Sequence, residues 1–260
     1  MDRYIFFSDL DRTLIFSYNR LTPEDERICV EKKGKKELSF MTPQSAETFA
    51  EIDSLCRFIP VTSRSEEQYK RIFLPFGIKP HLAIIDNGAN LLIDGEPDAG
   101  WNRTFSEAFR KAADEIRVCK EYLQKCENTY FEIRIVDDSF LFTKCKDSDA
   151  VAEDMRKTLG LTNSGVFTNG DKLYVIPDGI TKEAAQKELR KRFPDHIVIA
   201  AGDSPFDENM LRDADISVIN KGELTGMQLC PKQLTFSEND DDTSFVTQTV
   251  KKILTGEIDI

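Results

Sequence analysis

The chain has 260 residues, 40% of them hydrophobic and 31% charged, enough to bury a sizeable core in one or two domains. Lys plus Arg number 35 and Asp plus Glu 46, a formal charge of −11; with no basic block present, this argues against nucleic acid as a partner. No apolar run approaches the roughly 18 residues that span a bilayer, and the start, MDRYIFFSDL, lacks a secretory pattern, so no membrane partner is expected and the expected location is the cytoplasm.

In chain order, YIFFS (4–8) reads as a fully buried strand. ICVEKKGKKELSFM (28–41) reads as a hairpin turning at Gly34. TPQSAETFAEIDSLC opens a helix with Thr42 as N-cap and Pro43 at the first position, and puts Ala46, Phe49 and Ile52 on one face. RFIPVTS (57–63) is a second buried strand, and SEEQYKRIF opens with the capping-box pair Ser65 and Gln68. HLAIID (81–86) is a third buried strand.

The middle of the chain changes character. A helix is expected from about 105 to 126, then a hairpin in FEIRIVDDSFLFTKC with Asp137-Asp138 at its turn. A helix at about 149–159 follows, then a hairpin in GVFTNGDKLYVI with Asn169-Gly170 as turn signal. Buried strands return in HIVIAAGD (196–203) and DISVIN (215–220), with helices opening at Thr181 and Ser204. Buried strands alternating with helices imply an α/β fold with a parallel sheet covered on both faces. The helix–hairpin repeat implies an inserted α+β unit, dividing the chain into 1–88, 89–177 and 178–260. The acidic run ENDDD (238–242) reads as a solvated loop. The six cysteines form no C-x-x-C pair and read as reduced packing residues, and Trp101 reads as core.

Ligands of an open parallel sheet bind beyond the carboxyl ends of its strands. There the sequence places Asp9, Asp11 and Thr13 after the first strand, and Thr62, Ser63 and Arg64 after the second. Asp86, Asn87 and Gly88 follow the third; Gly202, Asp203 and Asp207 follow the fourth. Lys182 stands in a first helical turn, where the helix dipole disfavours a cation, so its position suggests a purpose. A set of Asp ligands without His or Cys suits a hard cation, Mg²⁺ above all. A lysine and a threonine hydroxyl can bind phosphate oxygens beside it. An aspartate there can form an aspartyl-phosphate. Arg64 can contact substrate or form a structural ion pair, and Asn87-Gly88 can contact substrate or simply turn the chain.

Four ordered pieces, DLDRT, PVTS, Lys182 and GDSPFD, resemble the motifs of the haloacid dehalogenase (HAD) superfamily of phosphohydrolases. The insert, VTSRS and IIDNGANLLIDG resemble its C2B-capped subclass, which holds Cof-like sugar phosphatases and sucrose-phosphate phosphatases. The early hairpin also resembles that of HAD-like phosphatases found with bacterial tellurite-resistance gene clusters. The resemblance implies a Rossmann-like HAD core with a C2B-type cap that closes over the substrate. It implies a Mg²⁺-dependent phosphomonoesterase acting on a sugar phosphate or similar small metabolite. By resemblance, Asp9 attacks phosphorus, and Asp9, Asp11 (through its carbonyl), Asp203 and Asp207 hold the metal. Asp11 is the acid and base, Thr62 and Lys182 bind and neutralise the phosphoryl group, and Thr13, Ser63, Arg64, Asn87 and Gly88 line the substrate site. Arg12 stands where glycine is commonest in this loop, and Phe206 where asparagine is usual. The rival readings are a phosphosugar mutase of the same subclass and a non-catalytic HAD-fold binding or signalling protein.

Overall fold

Short runs of Phe, Ile and Val are buried on both faces when a parallel sheet is covered by helices above and below. The protein, seen here as a computed structural model, is described over residues 3–21 and 26–258. Five parallel strands, β1 (Tyr4–Ser8), β2 (Arg57–Pro60), β3 (Ile197–Gly202), β4 (Ile216–Ile219) and β5 (Gln233–Thr235), lie in the order β5-β4-β3-β1-β2. β1 lies inside the sheet, with Phe6 opposite Ile199 on one side and Phe58 on the other. Successive side chains alternate between the faces. Phe6 joins a core cluster with Phe49, Ile52, Val250 and Ile253, from the helices Pro43–Leu55 and Phe245–Thr255. The strand Leu82–Ile85 extends the β2 edge through one parallel bridge, Val61 to Ile84, and pairs antiparallel with Asn90–Ile93.

The chain divides into two compact units, 1–96 with 182–260, and 97–181. The hairpin of Leu82–Ile85 with Asn90–Ile93 therefore belongs to the first unit. So does the hairpin of Ile28–Lys33 with Lys36–Met41, which turns at Gly34 (φ 61°). The second unit is a four-stranded antiparallel sheet, in the order Ser164–Asn169, Lys172–Pro177, Phe140–Lys144, Arg134–Val136. Ala112, Ile116, Cys119 and Leu123 of one helix and Val151 and Met155 of another pack with Leu141, Leu173 and Val175 of its sheet. The other face carries aromatic rings, with Phe142 and Tyr174 centred 5.3 Å apart and Arg134 stacked over Phe142.

Three elements depart from the sequence reading. The long helix runs Ala99–Lys125, six residues earlier than expected. Asp98 caps the helix by accepting from the Gly100 and Trp101 amides at 2.8 and 3.0 Å. The segment opened by Ser65 has its capping box but is helical only over Glu66–Tyr69. After it the chain pairs with the hairpin instead: Glu31 bridges Ile72, and the Phe73 amide donates to the Val30 carbonyl at 2.9 Å. In the last hairpin Asn169 pairs with Lys172, so the turn is centred on Gly170 and Asp171 rather than Asn169-Gly170. Gly170 has φ 58°, the left-handed value that glycine adopts without strain. The six cysteines are buried or half-buried, and Trp101 is buried, as the sequence suggested.

Candidate active site

β1 delivers two carboxylates to one edge of the sheet because the chain turns back on itself where the strand ends. The Asp9 amide still bonds to the Ala201 carbonyl at 3.0 Å, so the sheet itself places Asp9. The Leu14 and Ile15 amides then both donate to the Leu10 carbonyl at 2.9 Å, closing a tight loop. Arg12 adopts φ 66° at its apex. A non-glycine residue there costs about 1 kcal/mol or more. Asn220 Nδ2 holds the apex by donating to the Arg12 carbonyl at 2.8 Å.

Lys182 reaches this edge from the first turn of the helix Lys182–Arg190. It is buried, and its Nζ lies 2.5 Å from Asp9 Oδ1 and 2.6 Å from Asp207 Oδ1. Asp207 is also fully buried. Its Oδ2 accepts from the Asp203 and Ser204 amides at 3.2 and 3.1 Å and from Ser204 Oγ at 2.9 Å. Asp207 thus shapes the loop after β3 and anchors the lysine. Asp203 is buried and faces Arg12, whose Nε lies 3.0 Å from Oδ2.

The cluster is strained electrostatically. Burial pushes the Asp9 carboxyl well above the usual range, Lys182 opposes the shift, and Asp207, Asp203 and Asp11 add to it. Burial, with Asp207 beside it, pushes Asp203 up to about 7. The desolvation of Lys182 is outweighed by Asp207 and Asp9, so the lysine stays charged. Asp9, Asp203 and Asp207 present carboxylate oxygens within 4.8 Å of one another. An all-oxygen, buried set short of positive charge fits a hard divalent cation such as Mg²⁺.

The second and third loops are tied together by backbone. The Thr62 amide donates to the Ile84 carbonyl, the Asn87 amide to the Thr62 carbonyl and the Asp86 amide to the Arg64 carbonyl, at 2.9–3.0 Å. Asp86, Asn87 and Gly88 all have positive φ (52°, 57° and 108°), so this segment turns the chain. Thr62, Asn87 and Gly88 are buried, and Ser63 is half-buried. Thr13 is buried too, and its Oγ1 makes no hydrogen bond in the structure.

Arg64 turns to protein carboxylates. Its Nε and Nη2 donate to Asp11 Oδ2 and Oδ1, both at 2.7 Å, and its Nη1 lies 2.9 Å from Glu31 Oε1. Of the two roles the sequence left open, the ion pair is the one seen. Glu31 was missed entirely. It lies on a hairpin strand where Val30 faces the core, so regular alternation would send it to solvent. The pairing slips on both sides of Glu31, between Cys29 and Glu31 and between Glu31 and Lys32, and this bulge turns the carboxylate inward. Only the charge at a strand position hinted at it.

The sequence profile of the sucrose-6F-phosphate phosphohydrolase family matches residues 2–225. No curated protein matches the chain by sequence. Among solved structures, the sucrose-phosphatase of Synechocystis, in complex with sucrose and phosphate, shares 13% identity over 96% of this chain and 97% of its own, with a TM-score of 0.65. A haloacid dehalogenase-like hydrolase from B. subtilis shares 13% over 99% and 100%, at 0.63. A phosphatase of the haloalkanoate enzyme superfamily from Bacteroides thetaiotaomicron shares 12% over 98% and 96%, at 0.59. These likenesses agree with the fold read from the residues, a parallel-sheet α/β core with an additional antiparallel sheet. The chain belongs to the sucrose-6F-phosphate phosphohydrolase family, and it is a HAD-type phosphatase of the C2B-capped subclass.

Proposed function

We propose that the protein is a Mg²⁺-dependent phosphomonoesterase that removes phosphate from a sugar phosphate through an aspartyl-phosphate on Asp9. The observation that carries this reading is the pairing of buried Asp9 with buried Lys182 at the carboxyl end of β1, with Asp11 two residues on. Support for the substrate class comes from the family match and from the Synechocystis relative, which was solved with sucrose and phosphate.

Asp9 and Asp203, with the Asp11 carbonyl, would hold Mg²⁺, and Asp207 would steady the loop and Lys182. Bound there, the cation supplies positive charge for the phosphoryl oxygens and keeps the carboxylates ionised. Lys182 holds Asp9 through Oδ1, which leaves Oδ2 to attack phosphorus. The bond from phosphorus to the ester oxygen breaks as the new one forms, and the Asp11 carboxyl gives its proton to the departing alkoxide. The Asp11 carboxylate then takes a proton from water, whose oxygen attacks the phosphoryl group and frees Asp9. Thr13 Oγ1, buried and without a hydrogen bond, is suited to donate to a phosphoryl oxygen. The unit 97–181 would supply specificity as a cap.

The test is inorganic phosphate release from a panel of sugar phosphates, with Mg²⁺ or with chelator. Metal-dependent release, lost in Asp9→Asn, supports the reading. A folded wild type that frees no phosphate from any ester with Mg²⁺ present contradicts it.

A further inference from the structure

Asp11 has an exposed side chain at the mouth of the loop that follows β1, yet its carboxylate is held at both oxygens. The holder is Arg64, through two parallel bonds of 2.7 Å. A long arginine side chain does not hold itself. Arg64 is fixed at its root, where its amide donates to Thr62 Oγ1 at 3.2 Å and its carbonyl accepts from Asp86. At its tip it is fixed by Glu31, 2.9 Å from Nη1. Glu31 is 2% exposed, and it has further partners in Ser39 Oγ at 2.6 Å and Arg71 at 3.2 Å. From this geometry we infer that Glu31, carried in by the bulged hairpin 28–41, is a positioning residue. It acts through Arg64 to hold the Asp11 carboxyl where a leaving group's oxygen can take its proton.

The charges argue for this direction of control. Arg64 and Arg71 both point at Glu31 Oε1. An arginine cannot lose its proton. Removing the Glu31 charge leaves two guanidinium groups crowded on a neutral oxygen with little water to screen them, and Arg64, the one that also holds Asp11, must shift. A displacement of about 1 Å in a reacting group can cost roughly 100-fold in rate. The alternative role is purely structural: Glu31 would then only tie the hairpin to the segment 67–73.

The inference rests on the phosphatase reading with Asp11 as acid, and the leaving group separates the two. An alkyl ester such as a sugar phosphate needs the Asp11 proton. The 4-nitrophenolate of p-nitrophenyl phosphate leaves without one. The ratio kcat/KM reports events up to the transfer of the phosphoryl group. In Glu31→Gln, kcat/KM for the sugar phosphate should fall about 10-fold or more, with p-nitrophenyl phosphate changed by less than about 3-fold. Arg64→Lys keeps the charge but cannot bond both Asp11 oxygens, and should show the same selective loss; it carries the test if the first variant does not fold. Equal losses on both esters, or none, in a folded Arg64→Lys or Glu31→Gln protein overturn the positioning role. A wild type that hydrolyses neither ester overturns the hydrolase reading itself, and this inference with it.

Discussion

Gly202 ends β3 directly against Asp207. A Cβ built on it would lie 2.4 Å from the Asp207 Cβ, far inside contact distance. The glycine is required because Asp207 must fold back to bind the Asp203 and Ser204 amides. Gly202→Ala should therefore destabilise the protein by about 1–3 kcal/mol, the range typical of an overpacked core. The urea midpoint should drop at constant slope. An unchanged midpoint would mean that the loop yields freely. Arg12 presents the opposite case. It occupies a left-handed position that glycine fills without strain, and its guanidinium lies beside Asp203, a proposed metal ligand. Arg12→Gly should relieve the backbone and remove a competing cation. Calorimetric titration should then show Mg²⁺ binding several-fold tighter, on the order of the 1.4 kcal/mol that corresponds to a factor of ten. Weaker binding would show that Arg12 supports the site rather than competing for it.

Among the elements, those with a simple period were legible in sequence. The buried strands read at 4–8, 57–63, 81–86, 196–203 and 215–220, the helix Pro43–Leu55 with its Thr42 cap, and the hairpins turning at Gly34 and at Asp137-Asp138 all stand where the residues placed them, whereas the short, half-buried β5 was not read. What was hidden depends on irregularity or on tertiary pairing. A bulge reverses the facing of Glu31. A long-range strand contact ends the helix after Tyr69. A single Asp98 carboxylate lets the helix Ala99–Lys125 begin before Gly100. The candidate site was legible in its carboxylates and lysine because strand ends locate them. The direction taken by Arg64 was not, because its partner Glu31 lies 33 residues earlier on another element. The same reasoning applies in the second unit to Glu115 on the long helix. Its carboxylate gathers the amides of Thr162 and Asn163 and the hydroxyl of Ser164. Desolvation, the largest single influence, would raise its pKa, but these bonds together outweigh it and lower it from 4.5 to about 2. A depressed folded-state value means that Glu115 stabilises the fold above its ordinary 4.5, and that the contribution is lost as pH falls toward 2. Glu115→Gln should be less stable than wild type at pH 7, with the gap in denaturation midpoints narrowing between pH 4.5 and 2. A gap independent of pH would rule out the ionised carboxylate as the cause.

For the whole molecule, no helix among the described residues is long and apolar enough to cross a membrane. The site lies wholly within the unit formed by 1–96 and 182–260. Asp9 and Asp203 sit with raised pKa values in a set short of positive charge, so a cation bound there should stabilise that unit by mass action. At 100-fold above its dissociation constant, Mg²⁺ should contribute about 2.7 kcal/mol. Its removal by chelator should lower the melting temperature by roughly 5–10 °C. Asp203→Asn should lose most of this response, and a full response in that variant would move the metal elsewhere. The central claim, that Asp9 carries the phosphoryl group, is tested most directly by trapping it. Enzyme turning over a sugar phosphate with Mg²⁺ would be quenched in acid and its peptides weighed by mass spectrometry. The expected result is one added phosphoryl mass on the peptide that contains Asp9, absent with chelator and absent in Asp9→Asn. Phosphate release by an enzyme whose Asp9 peptide never gains that mass, even when sampled within a single turnover, would contradict it.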